Sequence, residues 1–333
     1  MESFVKNNPD KSAFHFSKNE SIAFGINEDK MNPLASLSKT IIALEFAYQV
    51  GREEIDPDML VSYEEINRFA VGDDNFANWT KQIKKDKILS KGQVPIKYVA
   101  QGMIRYSANA CADYLLSKLG LDKVNKRLEE LQIKHESIFP FTASILVAFN
   151  YQNEDKAEFL KKAKDWSRDE FRSKVNELND KFINDDEFLK NIKKEISASI
   201  YKDLDYDALW SDNFSLSTAK EYTKLIAKIN NREFDPSMND ILTFLFETWA
   251  MNDNSELKGA YDGLAYKGAG TNSLINVWLY LRDKEGSEMQ FVGLFNHLNQ
   301  EEYKKIEASI SNFGFQLCTD EVYMNKWKEI AGE

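Results

Sequence analysis

Pro33-Leu34-Ala35-Ser36-Leu37-Ser38-Lys39 opens the apolar run Thr40 to Val50, which Gly51 closes, and this stretch decides the fold. The spacing of the apolar side chains predicts a helix over Thr40 to Val50. Ser36 and Lys39 then lie one turn apart near the N-terminus of that helix, on a shared face. A serine hydroxyl becomes nucleophilic when a base lies within hydrogen-bond reach, so the pattern predicts Ser36 as a nucleophile and Lys39 as its base or part of its proton relay.

The Ser-x-x-Lys pattern is common in this chain, so its context has to identify the functional copy. Only the Ser36 copy follows a strand-like hairpin and a proline and opens a long apolar helix. A helix N-terminus also favours the negative charge that develops on an oxyanion. The alternative that Ser36 or Ser38 only caps the helix stays open, because serine is a preferred cap. The other four copies are Ser3 to Lys6, Ser199 to Lys202, Ser217 to Lys220 and Ser255 to Lys258.

Composition narrows the function classes. The 333 residues are 43% hydrophobic and 13% aromatic, enough for a sizeable core, and the net charge of -11 argues against binding to nucleic acid or an anionic membrane. Cys111 and Cys318 are far apart, and the histidines are scattered, so we expect no metal and no cofactor. No apolar run is long enough for a membrane span, and the N-terminus shows no export signal.

The order of elements predicts an α+β fold. A hairpin over residues 12–27 and three strands near 263–267, 274–282 and 289–295 predict one five-stranded antiparallel sheet assembled from both termini and flanked by helices. A terminal helix over 300–313 would pack on it. We expect a single catalytic unit with an α/β subdomain, 1–50 and 255–333, and an inserted helical subdomain, 51–254. Within the latter, 153–205 is a charged helical insertion, predicted as a helical hairpin.

Two further motifs contain polar side chains that could act in catalysis or in substrate binding. Tyr106-Ser107-Ala108-Asn109 falls between two predicted helices, where the Ser107 hydroxyl could relay a proton and the Asn109 amide could orient a substrate. Tyr266-Lys267-Gly268-Ala269-Gly270-Thr271 ends a predicted strand, where small residues let a substrate lie alongside and Lys267 offers charge to a carboxylate. Taken alone, Ser107 could equally be a helix cap and the second motif a glycine-rich turn with a solvated lysine.

In this order the three motifs resemble those of serine β-lactamases and penicillin-binding proteins, whose signature is Ser-x-x-Lys, Ser-x-Asn and Lys-Thr/Ser-Gly. Class A β-lactamases are the most similar by motif order and strand pattern. The resemblance implies a β-lactamase/transpeptidase-like fold in a family usually exported to the periplasm or outside the cell. We expect a monomer. It also implies roles: Ser36, Lys39 and Ser107 in catalysis, and Asn109, Lys267, Gly268, Ala269, Gly270 and Thr271 in substrate binding.

The sequence departs from this family at three points. A literal Ser211-Asp212-Asn213 also occurs, but we prefer Ser107, since Ser211 precedes a helix predicted from about Ser215 and would cap it. The third motif lacks a hydroxyl after its lysine. Aligning Lys267 makes Thr271 a substitute hydroxyl, whereas aligning the glycines puts Tyr266 at the lysine position; we favour Lys267. The glutamate that deacylates class A enzymes is not evident, and Glu136 and Glu177 are weak candidates.

Three functions follow from these features. The first is hydrolysis of a β-lactam through an acyl-enzyme, with the Ser36 N–H and one from residues 269–271 forming the oxyanion hole. The second is a D-alanyl-D-alanine carboxypeptidase, a penicillin-binding protein or an esterase on the same fold, favoured by the missing glutamate. The third is a non-catalytic binding protein that presents its helical insertion to a partner.

Overall fold

A computed structural model describes residues 1–19, 21–196 and 203–332, and the elements given below belong to that part of the chain. The strands are β1 (Ser12–Lys18), β2 (Ile22–Ile26), β3 (Asn32–Pro33), β4 (Leu60–Ser62), β5 (Gln93–Pro95), β6 (Leu216–Ser217), β7 (Tyr261–Gly270), β8 (Ile275–Asp283) and β9 (Glu288–Phe295). The helices are α1 (Glu2–Asn7), α2 (Lys39–Gly51), α3 (Tyr63–Asn67), α4 (Asp74–Lys85), α5 (Ile96–Arg105), α6 (Asn109–Leu119), α7 (Leu121–Leu131), α8 (Phe141–Ala148), α9 (Lys156–Lys164), α10 (Arg168–Asn184), α11 (Asp186–Glu195), α12 (Leu204–Asp212), α13 (Ala219–Asn230), α14 (Pro236–Leu242), α15 (Thr248–Asp253), α16 (Gln300–Glu307), α17 (Ile310–Thr319) and α18 (Glu321–Ala331). Short 3-10 turns cover Pro9–Lys11, Ala35–Ser38 and Ser255–Gly259, and a π-helical turn covers Thr243–Glu247.

The chain divides into two compact units. The sheet unit comprises Met1–Ser38, Leu131–Glu136 and Ser215–Glu333, and the helical unit comprises Lys39–Glu130 and Ser137–Phe214. Helix α2 therefore clusters with the helical unit, and α13, α14 and α15 cluster with the sheet unit. The sequence predicts these divisions near residues 50 and 254. Ser36 belongs to the sheet unit and Lys39 to the helical unit.

One antiparallel sheet organises the sheet unit, with strand order β2-β1-β9-β8-β7. Helix α13 packs on one face, and α17 and α18 pack on the other. Successive side chains of β1 alternate between these faces. The Phe14 ring meets Phe313 and Trp327, each with ring centroids 5.5 Å away, whereas His15 lies on the α13 side. This arrangement confirms the predicted α+β class and the five-stranded sheet built from both termini.

The helical unit is built around helices that are buried on all sides. Nearly every side chain of α2, α6 and α8 is buried, because these helices carry apolar residues around their circumference rather than along one stripe. Helix α2 packs on α5 and α6, and α8 packs on α6, α10 and α12. The polar side chains on α2 and α6 are therefore held in a dry interior.

The predicted helical insertion is divided more finely than expected. The described part of 153–205 contains α9, α10 and α11 and the start of α12, not a two-helix hairpin. Ser167 and Asp185 interrupt the charged run by accepting hydrogen bonds from the first turns of α10 and α11. Phe171, Val175 and Phe182, which recur at helical spacing in the sequence, form a buried stripe on α10. Ile200 and the Ser199 to Lys202 copy of the motif lie outside the described residues, as does Glu20 in the hairpin turn.

Candidate active site

Ser36 lies in a 3-10 turn, Ala35–Ser38, rather than in the α-helix itself. The Ser38 hydroxyl donates to the Ala35 carbonyl over 2.7 Å and closes the turn. Ala35 has a φ of 47°, in the left-handed region that L-residues rarely occupy. Such strain persists only where the surroundings enforce it, and it accumulates at functional sites. The backbone is therefore held in a costly conformation directly before the candidate nucleophile.

This turn packs on the sheet face that carries Lys267. The Asn276 side-chain amide donates to the Pro33 carbonyl over 2.7 Å, which holds the segment before Ser36 against β8. Asn276 pairs with Ala269 in the sheet register, and Lys267 pairs with Trp278, so these side chains share one face. The 3-10 turn contacts β7 and β8 on this face.

The two alignments of the third motif differ in which side chain points toward that face. Lys267 is buried, and its ammonium donates to the Gly268 carbonyl over 2.6 Å. Tyr266 points to the opposite face, where it lines an apolar cavity of about 440 Å³ beneath α17 together with Val277 and Leu279. The orientation therefore favours Lys267 over Tyr266 as the lysine of the motif.

Strand β7 is the last strand of its sheet, and small residues form its free edge. Gly268 and Gly270 are exposed, and a Cβ built on Gly268 would meet nothing within 4 Å. The Thr271 N–H bonds to the Leu274 carbonyl over 3.0 Å, so alternation directs the backbone of Gly270 and Gly268 away from β8. The Thr271 hydroxyl accepts from the Ser273 N–H over 3.2 Å within the β7–β8 turn.

Lys39 is the centre of the polar cluster in the helical unit. It is fully buried at the first position of α2, and its ammonium donates to the Ser107 carbonyl and to the Asn109 Oδ1, each over 2.6 Å. The Phe141 ring centroid lies 4.8 Å from the same nitrogen. Burial lowers the pKa of Lys39 from 10.5 to about 8, against the opposing charges of Asp73 and Asp113. A lysine with this pKa is partly neutral near physiological pH and can accept a proton.

A left-handed backbone conformation at Ser107 and the start of a helix at Asn109 fix the second motif in place. Ser107 has a φ of 59°, and α6 begins at Asn109. Asp73 accepts from the Ala110 N–H over 3.0 Å and so satisfies one of the free donors at that helix start. Ser107 is therefore not the residue directly before α6, which is where the predicted alternative of a simple cap would put it. The Asp73 carboxylate, from another loop, binds a free N–H group of this helix start instead.

Asp113 connects α6 to the start of α8. Its carboxylate accepts from the Phe141 and Thr142 N–H groups, each over 2.7 Å. Burial raises the pKa of Asp113 to about 6, although these hydrogen bonds and Lys39 favour its charged form. By fixing the first residues of α8, Asp113 holds the Phe141 ring beside the Lys39 ammonium.

The remaining sequence candidates lie elsewhere. Ser211 is buried in the last turn of α12, and Thr218 caps α13, so the predicted capping role of Ser211 is wrong. The Glu136 carboxylate accepts from the Leu216 N–H over 3.3 Å at β6. Glu177 is exposed on α10 and accepts from Ser173 over 3.2 Å. These positions give neither glutamate the buried, substrate-facing setting of a general base.

Among the described residues, His, Cys, Asp and Glu side chains form no group of three or more that could hold a metal ion. In that same part of the chain, no helix combines the length and apolar character needed to cross a bilayer.

Comparison with known proteins decides the family. A family model described as the β-lactamase enzyme family matches residues 2–244. The chain belongs to this family. No curated protein matches the sequence.

Solved structures of β-lactamases and related proteins share the fold of this family member. PBP-A matches with a TM-score of 0.54 and 13% identity, covering 87% of this chain and 82% of its own. TLA-3 extended-spectrum β-lactamase matches with a TM-score of 0.54 and 14% identity, covering 91% and 90%. A β-lactamase from Chitinophaga pinensis DSM 2588 matches with a TM-score of 0.53 and 12% identity, covering 90% and 92%. At these identities, the likeness establishes the fold of this β-lactamase family chain.

Three residues of the polar cluster escaped the sequence analysis. Asp113 follows Asn109 by one helical turn within an otherwise apolar segment, and such an isolated charge is a usable indication of a buried polar contact. Asp73 and Phe141 come from other segments, and nothing in their local sequence points to Lys39. Only the packing of the β-lactamase family fold brings these side chains to one place.

Proposed function

We propose that this chain is a serine hydrolase that forms an acyl-enzyme on Ser36 with a β-lactam. The observation that carries the proposal is the Lys39 amine, which is fully buried, has a pKa of about 8 and is held by Ser107 and Asn109. Lys39 follows Ser36 by three residues along the chain. Membership of the β-lactamase enzyme family supports the same chemistry.

The proposed reaction begins with the neutral Lys39 amine taking the proton of the Ser36 hydroxyl. The Ser36 oxygen bonds to the lactam carbonyl carbon, and the resulting oxyanion accepts from the N–H groups of Ser36 and Gly270. The carbon–nitrogen bond then breaks as the Lys39 ammonium returns its proton, through the Ser107 hydroxyl, to the leaving nitrogen. Lys267 attracts the substrate carboxylate, Asn109 orients the substrate amide, and the edge of β7 at Gly268 and Ala269 receives its backbone.

Slow release of the acyl group is a further part of the proposal. The aromatic ring of Phe141, which cannot activate water, lies next to the Lys39 amine. Glu177 is exposed on α10, and Glu136 bonds to the backbone of β6. These positions favour a penicillin-binding behaviour, in which the ester accumulates, over rapid β-lactam turnover. A PBP-A variant was itself solved as an acyl-enzyme complex with penicillin G.

The test is intact-protein mass spectrometry after incubation with penicillin G. We expect a stable adduct of one penicillin mass on Ser36, absent in Ser36→Ala and retained in Ser255→Ala, the matched control at an exposed serine of another Ser-x-x-Lys copy. A chromogenic cephalosporin, assayed in parallel, separates fast turnover from accumulation. A folded protein that forms no adduct and turns over no substrate would overturn the proposal and favour a binding role; an adduct on another residue would also overturn it.

A further inference from the structure

One loop of the helical unit, residues 68–73 between α3 and α4, contacts the starts of the two helices that hold polar or aromatic groups against Lys39. The Phe69 carbonyl accepts from the Thr142 hydroxyl in the first turn of α8 over 3.0 Å, and the Asp73 carboxylate bonds to the first turn of α6. Phe69 is buried, so its side chain anchors the loop in the interior of the unit. We call this segment the α3–α4 loop.

Asp73 caps two helices at once. One of its carboxylate oxygens accepts from the Phe76 N–H of α4, and the other accepts from the Ala110 N–H of α6, each over 3.0 Å. Ala108 directly precedes α6, and an alanine side chain cannot accept the hydrogen bond that an N-cap side chain normally takes from the first turn. Ala108 and Ala110 are fully buried, so water does not reach this N–H group. Asp73 therefore supplies, from another loop, the cap that the residue before α6 cannot provide.

The start of α6 carries the amide that holds Lys39. Asn109 is the first residue of α6, and its Oδ1 accepts from the Lys39 ammonium over 2.6 Å. Ala110 is the next residue, so its hydrogen bond to Asp73 fixes the backbone from which the Asn109 side chain projects. The position of Asn109 against the Lys39 amine therefore depends on the α3–α4 loop.

The charge of Asp73 also acts on the Lys39 amine. Burial lowers the pKa of Lys39, and three ionisable groups oppose this effect: Asp73 most strongly, then Asp113 and Cys111. A neutral residue in place of Asp73 should therefore let the pKa of Lys39 fall further. A side chain that served only as the cap of α4 would leave this amine unchanged.

We propose that Asp73 is a positioning residue for acylation, which caps α6 from the α3–α4 loop and so holds the Asn109 amide against the Lys39 amine. Asp73 itself contacts neither the substrate nor the reacting atoms, and it acts through these two residues. Because only the proposed hydrolase reaction uses Lys39 as a base, this role of Asp73 rests on the proposed function.

The experiment replaces Asp73 with serine, a preferred N-cap that can still serve α4 but has neither a charge nor a second oxygen for α6. We expect the acylation rate of Asp73→Ser with penicillin G, measured by quenched-flow mass spectrometry between pH 6 and 10, to level about tenfold below that of the parent, because Asn109 and Lys39 are displaced. The profile should also move to lower pH. A ¹³C NMR titration of the Lys39 side chain, assigned with Lys39→Arg, should show the same movement without any substrate.

Asp155→Ser is the matched control. Asp155 is an exposed aspartate that caps α9 by accepting from the Ala157 and Glu158 N–H groups over 3.0 and 3.1 Å, and α9 carries no residue of the polar cluster around Lys39. This variant should keep the rate and the titration of the parent. Asp73→Glu retains the charge but displaces the carboxylate by one methylene, so its rate should level below that of the parent while its midpoint stays near the parent's.

An Asp73→Ser variant with the rate and the Lys39 titration of the parent would overturn the proposal and leave Asp73 as a cap of α4 only. If Asp73→Ser does not fold, a rate in Asp73→Glu that levels with the parent would overturn it. A parent chain that forms no adduct on Ser36 would overturn the hydrolase function, and with it a role of Asp73 in acylation. In that case the Lys39 titration of Asp73→Ser would still show whether Asp73 acts on this amine, so the two failures are distinguishable.

Discussion

Lys39 shows how one buried position changes the chemistry of a residue. An exposed lysine is protonated at neutral pH, but burial penalises the charged form and lowers the pKa of Lys39 to about 8. The two carbonyl acceptors at 2.6 Å keep the amine in a fixed place. At physiological pH, a larger fraction of Lys39 is therefore neutral than of an exposed lysine.

The rate of acylation should follow the neutral fraction of Lys39. We expect the rate with penicillin G to rise with pH through about 8 and then level, since above its pKa the amine is already a free base. Quenched-flow mass spectrometry between pH 6 and 10 measures this profile. Lys39→Arg stays protonated and should acylate at least about a hundredfold more slowly. A flat profile, or an active Lys39→Arg, would contradict a base role for Lys39.

In the proposed reaction, the side chain at position 141 determines how fast the acyl-enzyme ester is hydrolysed. Phe141→Glu places a carboxylate where the ring now faces the Lys39 amine, and a general base there should activate water. We expect the ester to hydrolyse about 10²-fold faster, the lower end of general-base contributions. Decay of the penicillin adduct measures it. Phe141→Gln is the isosteric control and should leave the ester as stable as in the parent; equal decay in both variants would exclude a base effect.

At the scale of elements, α8 depends on a side chain from α6. The first two N–H groups of α8 lack helical partners, and the Asp113 carboxylate satisfies both. Because α8 is buried on all sides, water cannot replace this carboxylate. The position of Phe141 beside Lys39 therefore depends on Asp113.

Asp113→Asn should therefore affect both stability and chemistry. Asparagine keeps one acceptor oxygen, so one buried N–H loses its partner at a cost of about 1–3 kcal/mol in the free energy of unfolding. Loss of the negative charge also removes a contribution that raises the pKa of Lys39, so the acylation profile should move to lower pH. Urea unfolding and the pH profile measure the two effects. Asp122→Asn, at an exposed aspartate in the first turn of α7, should change neither; an unmoved profile in Asp113→Asn would refute the electrostatic link.

The sequence predicts a strand best where polar turn residues bound a run of aliphatic and aromatic residues. The strands near 263–267, 274–282 and 289–295 correspond to β7, β8 and β9, and in β8 the Trp278 and Tyr280 side chains of one face are as fully buried as Leu281 of the other. Helix α6 begins at Asn109, at the end of the motif that the sequence places between two predicted helices. The sequence does not predict α8, because a short helix that is apolar on all sides shows no helical periodicity of apolar residues. The predicted helix over 300–313 is instead α16 and the start of α17, broken near Ser309.

The candidate site was predictable to the extent that it depends on local motifs. Ser36, Lys39, Ser107, Asn109 and Lys267 all come from short patterns. The assignment of Lys267 over Tyr266 required the sheet register, which puts the two side chains on opposite faces. Contacts such as that between Lys39 and Phe141 join residues about a hundred positions apart, and no pattern in one sequence encodes them.

At the scale of the whole molecule, two buried groups act in opposite directions on acid stability. Burial lowers the pKa of His15 from 6.5 to about 4, so between these values the unfolded chain binds a proton that the folded chain does not. Burial raises the pKa of Asp113 from 3.8 to about 6, so here the folded chain binds the extra proton. As pH falls from about 6 to 4, His15 destabilises the fold and Asp113 stabilises it.

A variant that lacks one of these groups should therefore show the pH dependence of stability that the other group causes. Each carries a slope of at most about 1.4 kcal/mol per pH unit in its window. We expect His15→Gln to lose less unfolding free energy than the parent between pH 7 and pH 5, and Asp113→Asn to lose more. Urea titrations at both pH values give the two differences, and Asp122→Asn again serves as the control. His15 belongs to the sheet unit and Asp113 to the helical unit. If both variants differ from the parent in the same direction, burial of the titrating group does not govern acid stability in one of the two units.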